Sequence, residues 1–363
     1  MQPRPSAVRL LVPGNIQHNS GGNVYNAALM DGLSQLGISV AIEPVDGEWP
    51  VAATEDRRRL AGLLGPVPAS PGTDSGGASD AGTVTIVDGL VASGAPEALE
   101  EAAAAGGQRP WILLHMPLLD HPELEIRSLR AAAGVICTSS SVAAEITRRH
   151  GATHVHVALP GTEPAEPAAG SDPRHLISVA ALLPNKDQLT LLRALALVKD
   201  LPWTAALVGS GEADPEYAGA VRAAWKELRL EDRVRLAGEV TGQALEKEWH
   251  AADLSLLVSR VEAFGMAVTE SLAHGLPVVV RSGTGAVEAL SLGAGGGDET
   301  ALPGAVVVLD SDPAPLAAVL RAWLASAELQ ATWRRAALAG RERLPGWDAT
   351  ARGVLDIISR EAR

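Results

Sequence analysis

Short apolar runs, many of them rich in β-branched residues, recur along the whole chain and constrain its fold more than any other feature. They occupy residues 8–12, 84–87, 111–115, 134–137, 177–181, 205–208, 234–237, 254–258, 277–280 and 305–309. Such runs suit strands buried on both faces of a sheet, and the stretches between many of them have helical spacing. The pattern predicts an α/β fold with parallel strands.

The chain is long enough for two domains. Its 363 residues exceed what a single core usually serves. Residues 161–174 are rich in proline and small residues and separate the two series of predicted strands, which is typical of a linker. We therefore predict domains over residues 1–164 and 165–346, with a C-terminal helix over 347–363 that can pack back on the first. Residues 66–82 and 293–304 are predicted to be loops within these domains.

The net charge of −13 and its distribution disfavour two classes of partner. Residues 1–164 carry 10 Arg, no Lys and 17 Asp plus Glu, so this half offers no positive face to an anionic membrane. Nucleic acid is disfavoured because phosphate binding needs clustered Lys and Arg. No apolar run reaches the ~18 residues of a membrane span, and no signal-peptide pattern is present. Because Cys137 stands alone, no intrachain disulfide is possible, and we expect a cytoplasmic location.

Two glutamates stand eight positions apart in residues 261–279, VEAFGMAVTESLAHGLPVV, around the only phenylalanine of the chain, Phe264. The spacing predicts a helix that begins near Gly265, so Glu262 lies in the preceding loop and Glu270 about one turn inside. A helix N-terminus favours a phosphate group, and carboxylates accept hydrogen bonds from sugar hydroxyls. On this segment alone, a helix-dipole role for Glu262 and a solvated Glu270 are equally compatible.

Lys186 is one of only 4 lysines, and the following Asp187 can cap a helix predicted over residues 188–198. A cation at the positive end of a helix costs stability unless an anion neutralises it, which favours a bound diphosphate over a solvated lysine. His115 ends a predicted strand, at the edge of the sheet where α/β proteins bind ligands. Taken alone, a histidine after an apolar strand is more often a structural residue.

Gly21 and Gly22 precede another predicted helix, with Asn19 or Ser20 as its cap. Their lack of side chains would let a ligand approach the backbone at the helix start. A plain turn after the first strand is the alternative.

Residues 259–280, SRVEAFGMAVTESLAHGLPVVV, resemble the signature of family 4 glycosyltransferases, which are retaining enzymes of the GT-B fold. The resemblance consists of a glutamate, seven residues, a second glutamate, and then small-x-Gly-x-Pro-Val. Residues 20–40, 182–187, 207–217 and 234–240 resemble further family segments in the same order. Five ordered motifs are specific evidence, and they cover nearly the whole chain.

The resemblance implies two Rossmann-like domains facing each other across a cleft, the first for an acceptor and the second for a nucleotide diphosphate sugar. It implies catalytic roles for Glu262, His115 and Lys186. The residues expected to bind the donor are Gly21, Gly22, Gly209, Gly211, Phe264, Gly265, Met266 and Glu270. Transfer would proceed with retention and without a metal or a cofactor, and the departing phosphate oxygen would take the acceptor proton.

The chain departs from the family pattern at two places. An arginine usually stands five positions before the loop lysine, where this chain has Ala181. Either another cation serves, with Arg260 and Arg281 as candidates, or the diphosphate is held less strongly. The usual Gly-Gly-x-Pro-Glu appears as TGAVE, in which Gly285 keeps one glycine.

Two other functions stay open at this point. One is a different GT-B enzyme, such as a nucleotide-sugar epimerase or a phosphorylase. The other is a catalytically weak protein that binds a nucleotide sugar, which the missing arginine favours. A dehydrogenase is disfavoured, because Gly209 and Gly211 lack the third glycine of a dinucleotide fingerprint.

Overall fold

The computed structural model describes residues 4–15, 20–65, 82–106, 108–295 and 302–360. Asn19, most of the loop predicted over 66–82 and half of the loop predicted over 293–304 lie outside the described residues. The chain divides into two compact units: unit 1 comprises Met1–Gly161 and Trp347–Arg363, and unit 2 comprises Thr162–Gly346. This division falls three residues before the boundary predicted from the linker.

Unit 1 is a parallel sheet covered by helices. Its strands are β1 (Ala7–Pro13), β2 (Ser39–Val45), β3 (Thr83–Asp88), β4 (Trp111–Leu114), β5 (Val135–Cys137) and β6 (Val155–Val157). Its helices are α1 (Gly21–Gln35), α2 (Thr54–Leu64), α3 (Gly89–Gly94), α4 (Pro96–Ala104), α5 (Pro122–Ala131), α6 (Ser140–His150) and, at the end of the chain, α14 (Trp347–Arg360). Within the described residues the strand order is β2-β1-β3-β4-β5-β6.

Unit 2 repeats this architecture with a second parallel sheet. Its strands are β7 (Arg174–Val179), β8 (Trp203–Val208), β9 (Val234–Gly238), β10 (Leu254–Leu257), β11 (Val278–Arg281) and β12 (Gly304–Val307). Its helices are α7 (Gln188–Ala196), α8 (Pro215–Glu227), α9 (Gly242–Ala251), α10 (Met266–Ala273), α11 (Ala286–Leu292), α12 (Ala314–Ala325) and α13 (Ala327–Gly340). In the described part of the unit, the order is β12-β11-β10-β7-β8-β9. The predicted α/β class is confirmed.

The central strands of unit 2 are largely apolar because both faces of the sheet are covered. Leu176 belongs to a cluster with residues of α7, α8 and α12. The next residue, Ile177, points to the opposite face and belongs to a cluster with Trp249 of α9. Successive strand residues therefore bury opposite faces, as expected for a parallel sheet between two layers of helices.

Two strands, β2 and β6, were not predicted, and both lie at the edges of the sheet of unit 1. Four of the seven residues of β2 are exposed, and it contains Pro44. The three residues of β6 are half-buried or exposed. An edge strand has a solvated side and does not need a continuous apolar run, so the pattern that identified the other ten strands is missing here.

The C-terminal helix α14 packs on α1 within unit 1. A Cβ atom placed on Gly32 of α1 would lie only 2.7 Å from the Cβ of Ala351. The Trp347 ring meets the Tyr25 ring edge-on, with centroids 5.6 Å apart. The absence of a side chain at Gly32 allows this close helix pairing. None of the helices within the described ranges is both long and apolar enough to cross a membrane.

Candidate donor site and the polar cluster of unit 1

The loop between β10 and α10 lies where β10 ends, at the edge of the sheet here called the carboxyl edge of unit 2. Gly265 occupies the N-cap of α10 with φ of 94°, a left-handed conformation that favours glycine. Met266 is the first helical residue, so the helix begins as predicted. The buried ring of Phe264 anchors the loop in the core. Because Gly265 has no side chain to cap the helix, the first backbone N–H groups of α10 are left for a ligand.

Gly285, at the start of α11, supports the loop that carries Glu262. Its N–H donates to the carbonyl oxygen of Glu262 at 2.8 Å. A Cβ atom at Gly285 would lie 1.9 Å from the carbonyl oxygen of Ala263, so no other residue fits at this position without a shift. The family resemblance offered Gly285 as the remnant of a glycine pair, and its contacts explain why a glycine stands there.

Lys186 and Glu262 meet at the carboxyl edge of unit 2. Lys186 lies in the loop after β7, and Glu262 lies in the loop after β10. Because β7 and β10 are neighbouring strands, these two loops leave the sheet side by side. Lys186 Nζ lies 2.6 Å from Glu262 Oε2, and the two side chains are 21% and 13% exposed. Glu262 therefore supplies an anion for Lys186 from within the chain, which the choice between a bound diphosphate and a solvated lysine did not include.

Asp187 has a different role from the one predicted. It occupies the N-cap of α7 with φ of 54°, but its side chain makes no capping hydrogen bond to the helix backbone. Thr190 Oγ1 donates to Asp187 Oδ1 at 2.9 Å. The same buried carboxylate also receives the guanidinium groups of Arg260 and Arg281. Asp187 thus joins the loops that follow β7 and β10 to the last residue of β11.

Glu270 lies one turn inside α10 and is half-buried. Burial raises the pKa of its carboxyl group, while nearby His274 lowers it and nearby Glu246 raises it. Burial dominates, because a charge loses solvation when it leaves water. The partial burial of Glu270 disfavours the alternative of a solvated surface acid.

The raised pKa of Glu270 predicts a pH-dependent effect of Glu270→Gln on the ligand-free chain. A carboxyl whose folded pKa exceeds its unfolded value stabilises the fold most at low pH, and this contribution falls as the pH rises through the folded pKa. Glutamine cannot ionise, so the variant should melt above wild type near pH ~7, and the difference should shrink towards pH ~4.

The measurement is the melting temperature of both proteins across this range, with Glu231→Gln as a control at an exposed turn. A difference between Glu270→Gln and wild type that stays constant with pH would contradict the burial of an ionisable carboxyl.

Gly209 and Gly211 follow β8 and contact the segment after β7. A Cβ atom at Gly209 would lie 2.0 Å from the carbonyl oxygen of Ala180. Leu182 N–H donates to the carbonyl oxygen of Ser210 at 2.8 Å. These glycines hold the segment that leads to Lys186, and no described contact joins them to Lys186 or Glu262 directly.

A buried polar cluster lies at the carboxyl edge of unit 1. His115 Nε2 is 2.9 Å from Asn26 Oδ1 and 3.6 Å from Asp88 Oδ2. Because both neighbours accept hydrogen bonds, Nε2 carries the proton of the neutral imidazole. Burial lowers the pKa of His115, and Asp88 opposes this shift.

The cluster also brings two predicted residues together. Gly21 and Gly22 begin α1, and the Ser20 side chain accepts from Asn23 N–H as the N-cap. A Cβ atom at Gly22 would lie 3.3 Å from His115 Cδ2. Sequence reasoning missed Asn26 and Asp88, although Asp88 was detectable as an acid at the end of a predicted strand.

Residues 162–339, which fall within unit 2, match the family described as glycosyl transferases group 1. A D-inositol 3-phosphate glycosyltransferase from Kineococcus radiotolerans is 33% identical over 204 residues, which are 52% of this chain and 45% of that protein. Another from Streptomyces avermitilis is 30% identical over 260 residues, 65% of this chain and 53% of that protein. The chain spans about half the length of these curated relatives.

Solved structures of low sequence identity share the fold. Sucrose-phosphate synthase from Thermosynechococcus elongatus gives a TM-score of 0.73 at 18% identity, covering 97% of this chain and 98% of that one. HepE from Anabaena in complex with UDP gives 0.69 at 16% identity, covering 97% and 99%. The α/β GT-B fold is thereby confirmed. The family match over residues 162–339 and the curated relatives support the predicted assignment to the family 4 glycosyltransferases.

Proposed function

We propose that the chain transfers a glycosyl group from a nucleotide diphosphate sugar to an acceptor hydroxyl, with retention at the anomeric carbon. The contact between Lys186 and Glu262 beside the start of α10 carries this proposal. It joins a cation suited to phosphate and a carboxylate suited to sugar hydroxyls. HepE, which has a similar fold, was solved with UDP and with UDP-glucose.

Within unit 2, each group has a role set by its charge. Glycosyl transfer builds negative charge on the leaving diphosphate and positive charge on the sugar. Lys186 and the N–H groups at the start of α10 stabilise the diphosphate, and Glu262 contacts the sugar. Glu270, deeper along the helix, accepts hydrogen bonds from the ribose. The departing phosphate oxygen takes the proton of the acceptor.

Unit 1 completes the proposal. It would bind the acceptor, and Gly22 and His115 would line its part of the site. The neutral imidazole, held by Asn26 and Asp88, suits a hydrogen bond to a hydroxyl group. A cytoplasmic location belongs to the same proposal and is supported by the lone Cys137, which has no disulfide partner in the chain.

The test is a panel of UDP-, GDP- and ADP-sugars, with release of the nucleoside diphosphate as the readout. One donor should be hydrolysed slowly without acceptor, and NMR of the first sugar product should show the anomeric configuration of the donor. Binding of a nucleotide sugar without any turnover would favour the sugar-binding alternative. Conversion of the sugar while still attached to the nucleotide would favour an epimerase.

Turnover of that donor should also survive a metal chelator. Lys186 and the backbone N–H groups of α10 supply the positive charge that a divalent cation provides in other transferases. We expect the rate in excess EDTA to match the rate without it. Complete loss of activity, restored by magnesium or manganese, would overturn this part of the proposal.

A further inference from the structure

The charges around the loop after β7 fall into two groups. In the first, Lys186 and Glu262 form a pair whose net charge is zero. In the second, one carboxylate, Asp187, holds two guanidinium groups, those of Arg260 and Arg281. The second group therefore carries an excess of one positive charge, although the sequence pointed to Lys186 as the cation of this loop.

The two arginines differ in their access to a ligand. The Arg281 side chain is only 8% exposed and donates to Asp187 Oδ2. The Arg260 side chain is 52% exposed. A ligand at the surface of the loop can therefore reach the excess charge only through Arg260.

Arg260 is also fixed to the loop at two points. Its Nε lies 3.0 Å from Asp187 Oδ2, and its Nη2 donates to Asp187 Oδ1 at 3.1 Å. This two-pronged geometry sets the plane of the guanidinium group and leaves Nη1 free of any partner among the described residues. Arg260 N–H donates to the carbonyl oxygen of Asn185, the residue before Lys186, at 2.7 Å.

We propose that Arg260, positioned by Asp187, is the second cation of the diphosphate site, in place of the arginine that this chain lacks at Ala181. The inference rests on the proposed function, because it assumes that a nucleoside diphosphate binds at the loop. The buried Arg281 also pairs with the carboxylate, so Asp187 can hold Arg260 without cancelling its charge. The loop thereby presents a planar, pre-oriented donor that matches a phosphate group.

The test compares the affinities of UDP, UMP and uridine, or the set of whichever base binds, for wild type and Arg260→Ala by calorimetry. The affinity for the diphosphate should fall about 10- to 100-fold in the variant, because a charged hydrogen bond is lost. The monophosphate should lose less, and the nucleoside should be unaffected.

Arg58→Ala is the control. Arg58 is exposed on α2 of unit 1, does not line the pocket that Arg260 lines, and has no described partner. The substitution changes the net charge equally and should leave the diphosphate affinity within about twofold. Arg260→Lys, which keeps the charge but loses the planar fork, should fall between wild type and Arg260→Ala.

Two results would overturn the inference. One is a diphosphate affinity of Arg260→Ala within about twofold of wild type. The other is an equal loss of affinity for the nucleoside and for the nucleoside diphosphate. This would mean that Arg260 maintains the conformation of the loop and does not bind the diphosphate through its charge. If wild type itself binds no nucleoside diphosphate, the proposed function fails first, so the two failures are distinguishable.

Discussion

Glu262→Gln should lower kcat about 10- to 150-fold while leaving the affinity for the bare nucleoside diphosphate unchanged or higher. In the proposed function the carboxylate contacts the sugar as charge develops on it, so its loss should be felt in the transition state. In the ligand-free chain the same carboxylate is bound to Lys186 at 2.6 Å and competes with the diphosphate for that cation. Glutamine removes this competition. The variant should therefore bind product better and turn over more slowly.

Steady-state kinetics with the donor and calorimetry with the nucleoside diphosphate measure these two effects. Glu231→Gln, at an exposed turn, controls for the loss of one negative charge. A variant of Glu262 that loses nucleotide affinity and kcat in parallel would show that Glu262 supports the loop as a whole. Glu270→Gln should behave differently and weaken donor and bare nucleotide alike, because the proposed partner of Glu270 is the ribose.

Lys186→Ala should lower the donor affinity more than Glu262→Gln does, by about 10- to 150-fold or more. The substitution removes the cation proposed to meet the diphosphate and also leaves the Glu262 carboxylate without its lysine partner. An unpaired, largely buried carboxylate repels the incoming phosphates and costs stability. The melting temperature should therefore fall, although removal of a cation from the start of a helix would by itself raise it.

The double variant Lys186→Ala, Glu262→Gln separates the two contributions. If the carboxylate repels the diphosphate in the single variant, the double variant should recover part of the nucleotide affinity and of the melting temperature. Lys247→Ala, at an exposed position of α9, serves as the control for a lost lysine. Additive effects of the two substitutions would contradict the coupling of Lys186 and Glu262.

The fold could be predicted because a strand that is buried on both faces of a sheet must consist mainly of apolar residues. Each central strand of the two sheets appears in the sequence as a short apolar run. The edge strands β2 and β6 escape this constraint, and they were missed. The start of α10 was also predictable, because a glycine with no side chain stands directly before the helical spacing.

The sequence identified the residues of the candidate site but not which of its charged side chains contact one another. Lys186 and Glu262 are 76 positions apart in the chain, and only the adjacency of β7 and β10 brings their side chains together. Asp187 resembled an ordinary helix cap because the local rule for helix starts says nothing about partners from other loops. The strands β10 and β11 deliver Arg260 and Arg281 to it, and a local pattern cannot predict such a contact.

The most direct test of the account is a crystal structure of the chain with the nucleoside diphosphate that it binds. The account predicts phosphate oxygens about 3 Å from Lys186 Nζ and from the first backbone N–H groups of α10. It also predicts that Lys186 has exchanged Glu262 for phosphate, which leaves the carboxylate free for the sugar. A diphosphate bound elsewhere, with the contact between Lys186 and Glu262 intact, would contradict the assignment of this site.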